Sequence, residues 1–412
     1  MRPGDGAPAA AGTASESARH IELAERHSAH NYAPLPVVVA RGRGAWVEDV
    51  EGRRYLDLLS AYSALNFGHC HPEIVAEFLE QAQTLTLTSR AFHNDRFGPF
   101  CDDITRLCGQ DLVLPMNTGA EAVETALKTA RKWGYKIKGV PAERAEIIAC
   151  AGNFHGRTLG LISFSDDEQY RDGFGPFTPG FRLVPYGDAA ALESAITPHT
   201  VGFLVEPIQG EGGIVVPPAG YLRAAREICR RQRVLFIADE IQTGLGRTGR
   251  LLACDHEVVR PDVLVLGKAL GGGMVPISAV LASREVLGVF NPGDHGSTFG
   301  GNPLACAVAR VALRILTRDR LAERAASLGG AFMRRLSAMP SSVVKQVRGR
   351  GLLIGIELRR EAGPAKEYAK RLKDEGLLCK DTVESVLRIA PPLVIEPADL
   401  DWAFERLAKV LR

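Results

Sequence analysis

Three short, nearly unbroken apolar runs stand out in the middle of the chain: VGFLVEP from Val201 to Pro207, VLFIADE from Val234 to Glu240, and VLVLGK from Val263 to Lys268. Runs of this length without polar alternation predict strands covered on both faces, as in a parallel sheet. Between the first two lies GYLRAAREICRRQ, in which Leu222, Ala225, Ile228 and Cys229 share one helical face. The order strand, helix, strand predicts a crossover unit in a mostly parallel sheet, and therefore an α/β fold. PEIVAEFLEQAQ reads as a helix begun by Pro72. Helical periodicity returns from Ala305 onward, and VRGRGLLIGIEL and VLRIAPPLVI then read as strands of a smaller α+β domain. WVEDVEGRRYLDLLS, turned at Gly52, reads as strand-like and either joins that domain or bridges to the main sheet.

The division expected from these patterns is a loose tail over 1–20, a segment over 21–60 that packs with the small domain, a large domain over 61–305, and a C-terminal small domain over 306–412. The tail MRPGDGAPAAAGTASESARH has neither a signal-type apolar core nor an Arg-rich amphipathic pattern. The 50 basic and 48 acidic residues leave a net charge of +2, so no field of one sign points to nucleic acid or an anionic membrane. The apolar runs fall short of the roughly 18 residues that a membrane span needs. Eight scattered cysteines without C-x-x-C spacing suit reduced thiols in the cytoplasm. The cluster His69, Cys70, His71 is not expected to bind metal, because adjacent residues in a tight turn rarely point at one ion.

Each central run closes on a charged residue, Glu206, Asp239 or Lys268, at the sheet edge where open α/β folds bind ligands. Taken alone, Lys268 reads better as a solvated residue just past a buried strand. Partial desolvation would instead lower its pKa and make it a nucleophile. A lysine beside an aspartate suits pyridoxal phosphate, which needs an amine as covalent anchor and an acid to keep its pyridine nitrogen protonated. Asp239 is the candidate acid, or else it caps the turn that follows. In LPMNTGAEAVETALKTARKWG, the turn Asn117–Gly119 precedes a helix and offers amides to a phosphate; the alternative is a plain N-cap at Thr118 with Glu121 and Glu124 in the first turns. GLGRTG, Gly244 to Gly249, matches a dinucleotide loop in spacing only, since RLLACDHEVVRPD leads on to another strand rather than a helix. GKALGGG likewise lacks the spacing of a nucleotide loop.

With HNYAPLPV, LLSAYSALNFGHCHP, TLTSRAF, AGNFHGRT, DGFGPFTPGF, VEPIQGEGG, HGSTFGGNP and RIAPPLVI, the chain from about His30 to its end resembles class III, fold-type I pyridoxal-phosphate aminotransferases. Within that class it is similar to members acting on the δ-amine of ornithine. The resemblance implies that Lys268 anchors the cofactor, Asp239 pairs with the pyridine nitrogen, Gln242 contacts the ring hydroxyl and Phe154 stacks on the ring. It places Thr118, Gly119 and Ala120 at the phosphate, with Ser297 and Thr298 completing that site from the other subunit of a homodimer. Assembly beyond the dimer stays open. Tyr32 and Arg157 would hold the α-carboxylate of L-ornithine, Tyr62 would set the preference for free ornithine, and Glu211 with Arg388 would switch between half-reactions.

The implied reaction is ping-pong transfer of the δ-amino group of L-ornithine to 2-oxoglutarate, giving glutamate and glutamate 5-semialdehyde, which closes to pyrroline-5-carboxylate. Action on N-acetylornithine, lysine or 4-aminobutyrate is the alternative. Without the resemblance, the tyrosines read as packing residues and Arg388 as a surface strand arginine. One departure is His155, where some relatives carry an aromatic; its expected role is packing.

Overall fold

The computed structural model describes residues 15–412. The first 14 residues of the expected tail lie outside them, and the rest of that stretch is not loose. Helix Glu16–His27 starts there because the Ser15 side chain accepts the Ala18 amide, Glu16 lies in the first turn, and Arg26 and His27 lie in the last.

A seven-stranded sheet runs in the order Leu112–Met116, Ser278–Ala282, Val263–Leu266, Leu235–Asp239, Thr200–Val205, Glu146–Cys150, Phe181–Val184. Every strand except Ser278–Ala282 points the same way. The three apolar runs are adjacent strands, and every residue of each strand is buried, as continuous hydrophobicity requires. The helix Tyr221–Arg231 makes the crossover between Thr200–Val205 and Leu235–Asp239, burying the predicted face of Leu222, Ala225, Ile228 and Cys229. Burial of each of the larger apolar side chains on that face contributes about 2 kcal/mol. On the other side, helix Gly119–Trp133 packs Ala122, Val123, Ala126, Leu127, Ala130 and Trp133 into the core beneath the sheet.

Trp46–Asp49 and Arg54–Asp57 pair antiparallel about Gly52, and Leu377–Leu378 adds in parallel. The N-terminal hairpin is thereby tied to the C-terminal region, as is Trp46, whose indole N–H donates to Asp399. A third sheet orders Val344–Arg350, Leu353–Leu358, Val386–Ile389 and Lys380–Thr382. Arg247, fully buried in GLGRTG, joins this region to the large sheet by donating to the carbonyls of Leu352 and Pro391 and to Asn66 Oδ1. The glycines around it permit close packing: a Cβ on Gly246 would come within 2.9 Å of Leu316, and one on Gly249 within 2.9 Å of Ala326. Among the described residues, no helix is long and apolar enough to cross a membrane.

Candidate active site

The strand order brings the charged strand ends together. Asp239 closes Leu235–Asp239, Glu206 follows Thr200–Val205, and Lys268 follows Val263–Leu266, while the turn after Glu146–Cys150 carries Phe154 and His155. Ser278 starts the one reversed strand beside Met116, and its hydroxyl donates to the Thr118 carbonyl at 2.7 Å, so the start of helix Gly119–Trp133 sits at the same edge. Lys268, Asp239, Glu206, Phe154 and His155 line, with the start of that helix and Gln242, a cavity of about 220 Å³.

The N-cap reading of the Asn117–Gly119 turn holds. The Thr118 hydroxyl accepts the Glu121 amide, and the Glu121 carboxylate accepts the amides of Asn117 and Thr118 at 3.1 and 2.6 Å. Thr118, exposed, spends its hydroxyl and its amide on this cap. Gly119 and Ala120 are the first helical residues, whose amides have no intrahelical acceptor, and both line the cavity.

Asp239 is buried and fixed from two sides: Oδ1 accepts the Ile241 amide at 3.1 Å, and Oδ2 lies 2.7 Å from His155 Nδ1. His155 therefore does more than pack, which corrects the expectation for it. Burial opposes its protonation, but the hydrogen bond and charge of Asp239, with Glu206 beyond, outweigh that and raise its pKa. Glu206, given no role from the sequence, accepts the amides of Phe154 and Gly210 at 3.0 and 3.2 Å. Burial pushes its carboxyl up to about 7. Because that value exceeds the ordinary carboxyl pKa of about 4.3, Glu206 adds stability that is complete below the ordinary value and is lost as pH rises through about 7. The raised His155 value acts in the same direction. Glu206→Gln is therefore expected to flatten the fall in melting temperature of the cofactor-free chain between about pH 5 and about pH 8; an unchanged slope in a thermal scan would contradict this.

Lys268 is half-buried, at φ 40°, a left-handed conformation that a non-glycine residue holds only where its surroundings enforce it. Burial and then the Arg388 charge lower its pKa, against the opposing pull of Glu211, Asp239 and Glu206. Arg388 is 1% exposed, not a surface arginine: it lies on the strand Val386–Ile389 between Gly355 and Lys380 on the flanking strands. Its Nη1 lies 2.6 Å from Glu211 Oε1, while its Nε and Nη2 are buried without partners. Glu211 also accepts from Gln242 Nε2 at 3.2 Å, and its backbone carbonyl accepts from the Thr382 hydroxyl at 2.5 Å. The Arg388 guanidinium lies 5.4 Å from the centre of the Tyr62 ring.

The remaining expected residues lie further out. Tyr32 is 71% exposed and, with Tyr62, lines a second, mostly apolar cavity of about 500 Å³. Arg157 is exposed and lies over the ring of Tyr170 at 4.1 Å and that of Phe154 at 5.7 Å. Tyr170, on the short helix Glu168–Arg171, carried no sequence signal. Ser297 accepts from Asn117 Nδ2 at 2.9 Å, whereas Thr298 is exposed and does not line the 220 Å³ cavity.

The model of the family "aminotransferase class-III" matches residues 27–411. The chain belongs to that family. The ornithine aminotransferase of Bacillus subtilis (strain 168) is 57% identical to it over 398 residues, 97% of this chain and 98% of the relative. An ornithine aminotransferase from Toxoplasma gondii, crystallised with oxidised glutathione and showing partial occupancy of PLP at its active site, superposes with a TM-score of 0.95 at 48% identity, covering 96% of this chain and 94% of its own. An acetylornithine aminotransferase from Elizabethkingia anophelis gives a TM-score of 0.88 at 51% identity, covering 96% and 98%.

Class III aminotransferases depend on pyridoxal 5'-phosphate, and the residues present fit it. The cavity offers two unpaired helix-start amides for a phosphate, a buried carboxylate for a pyridinium, and an amine whose pKa is lowered. Gln242 Oε1, buried with no partner, is an acceptor waiting for a hydroxyl. A Cβ on Gly156 would lie 3.0 Å from the Cβ of Ala120, so glycine keeps the wall beside the start of helix Gly119–Trp133 clear.

Proposed function

We propose that this aminotransferase moves the δ-amino group of L-ornithine to 2-oxoglutarate, producing glutamate and glutamate 5-semialdehyde, which closes to pyrroline-5-carboxylate. The observation that carries the reading is the buried Arg388–Glu211 pair beside Tyr62; the ornithine aminotransferases among the relatives support it.

Bound pyridoxal phosphate supplies the electron sink that acidifies the carbon bearing the transferred nitrogen. Lys268, whose pKa burial lowers, would anchor it and would serve as the base that takes the proton from that carbon. Asp239, steadied by His155, would keep the proton on the pyridine nitrogen. Phe154 would pack against the ring, Gln242 would accept from the ring hydroxyl, and the Gly119 and Ala120 amides would hold the phosphate.

Ornithine must present its δ-amine, so Glu211 masks Arg388 and leaves the α-carboxylate to Tyr32 and Arg157. 2-Oxoglutarate carries a carboxylate at each end. Glu211 then releases Arg388, whose unpartnered Nε and Nη2 are suited to a two-pronged carboxylate contact, while Arg157 takes the other end. Tyr62, stacked near Arg388, selects the free α-amine of ornithine. Tyr62→Ala is expected to lower kcat/KM for ornithine by about 10-fold or more while 4-aminobutyrate changes by less than about threefold. Equal losses in steady-state assays would argue for one of the other ω-amines, and a gain on N-acetylornithine would favour the activity that the Elizabethkingia relative's name carries.

The same reading makes the protein a homodimer, with Ser297 and Thr298 offered to the partner's phosphate. Thr298 is exposed and outside the cavity, and it adjoins Phe299, which is 55% exposed; Phe92 is 73% exposed. It keeps 61–305 as the cofactor-binding domain and 306–412 as the small domain. It also places the protein in the cytoplasm, in keeping with eight free cysteines.

A further inference from the structure

Ser60, Ala61, Tyr62 and Ser63 have φ values of 51°, 46°, 59° and 73°, one turn of left-handed helix without a glycine. Each L-residue there sets its Cβ against the following carbonyl, so the turn persists only if the surrounding structure enforces it. The hydroxyls of Ser60 and Ser63 are buried without partners, so they are not what holds it. Asp57 is. Its Oδ1 accepts the amides of Leu59 and Ser60, each at 2.8 Å, fixing the entry to the turn. Its Oδ2 lies 2.8 Å from His69 Nε2, and Asp57 itself is 7% exposed. His69 is held in turn by two backbone hydrogen bonds with Gly44, and its ring lies against Gly42, where a Cβ would come within 2.8 Å. At the exit, the Ser60 carbonyl accepts the amides of Ala64 and Leu65 at 2.9 and 3.1 Å.

The product of this clamp is the placement of one side chain. A turn of the opposite hand would send Tyr62 in another direction; this one brings its ring to 5.4 Å from the Arg388 guanidinium. We infer that Asp57, oriented by His69, is a positioning residue for amino-donor choice, acting by holding Tyr62 against the Arg388–Glu211 pair. The inference rests on the role given to Tyr62 above.

The test compares half-reactions of the holoenzyme in single turnover, with L-ornithine or L-glutamate as donor. Asp57→Ala is expected to lower kcat/KM for ornithine by about 30-fold while glutamate falls by less than about threefold. Asp57→Asn keeps an acceptor for the two amides and should recover most of the ornithine rate. In a Tyr62→Ala background, Asp57→Ala should add almost nothing to the ornithine loss, because both changes remove the same placement. Proportional losses on both donors, or additive losses in the double variant, would overturn the inference. If Asp57→Ala does not fold, His69→Ala is read by the same ratio and the same cycle. A parent enzyme that rejects ornithine but accepts another ω-amine defeats the ornithine reading alone; the ratio is then taken with that amine, and the same outcomes decide on Asp57.

Discussion

Replacement of Lys268 by alanine is expected to lower kcat by at least about 10⁴-fold, since it removes both the covalent anchor and the proton carrier at once. The fold should survive. The left-handed backbone at Lys268 costs alanine no more than lysine, and the charge removed is one that burial already disfavours. Far-UV circular dichroism of the variant should match the parent, and a small added amine should restore part of the rate by substituting for the missing base. An alanine variant that turns over without added amine would contradict the role of Lys268.

Asp239→Ala is expected to lower kcat by about 10³-fold. The loss has a physical chain behind it. Without the carboxylate, the pyridine nitrogen would lose its acceptor, and His155 loses the hydrogen-bonded partner that contributes most to raising its pKa. The electron sink is then weakened at the step where the carbon proton leaves. His155→Ala is milder, since Asp239 keeps the Ile241 amide. Stopped-flow rates of the ornithine half-reaction check both; a near-parental rate for Asp239→Ala would contradict the pairing.

The parts of this site legible in the sequence are those where composition and periodicity point the same way. Lys268, Asp239 and Glu206 each close a run too apolar to be anything but a strand covered on both faces, and the topology of a parallel sheet then converges their ends. The capped turn at Thr118 was visible for a similar reason, a helix pattern beginning after a good N-cap. What stayed hidden depends on long-range packing. Nothing local marks Ser60–Ser63 as left-handed, because non-glycine residues rarely adopt that conformation and Asp57, which fixes the entry to the turn, is itself oriented by the more distant His69. Without the resemblance Arg388 reads as a surface residue, because its charged partner, Glu211, lies 177 positions away. GLGRTG shares the glycine spacing of a nucleotide loop because its glycines do serve close approach, of packed helices rather than a phosphate.

The most direct test of the account is a single turnover: L-ornithine added without a keto acid to the cofactor-loaded protein, with the visible spectrum and pyrroline-5-carboxylate followed together. The account predicts loss of the cofactor's visible band with one pyrroline-5-carboxylate formed per active site. A band that ornithine leaves unchanged, or its loss without pyrroline-5-carboxylate, would contradict δ-amino transfer from ornithine.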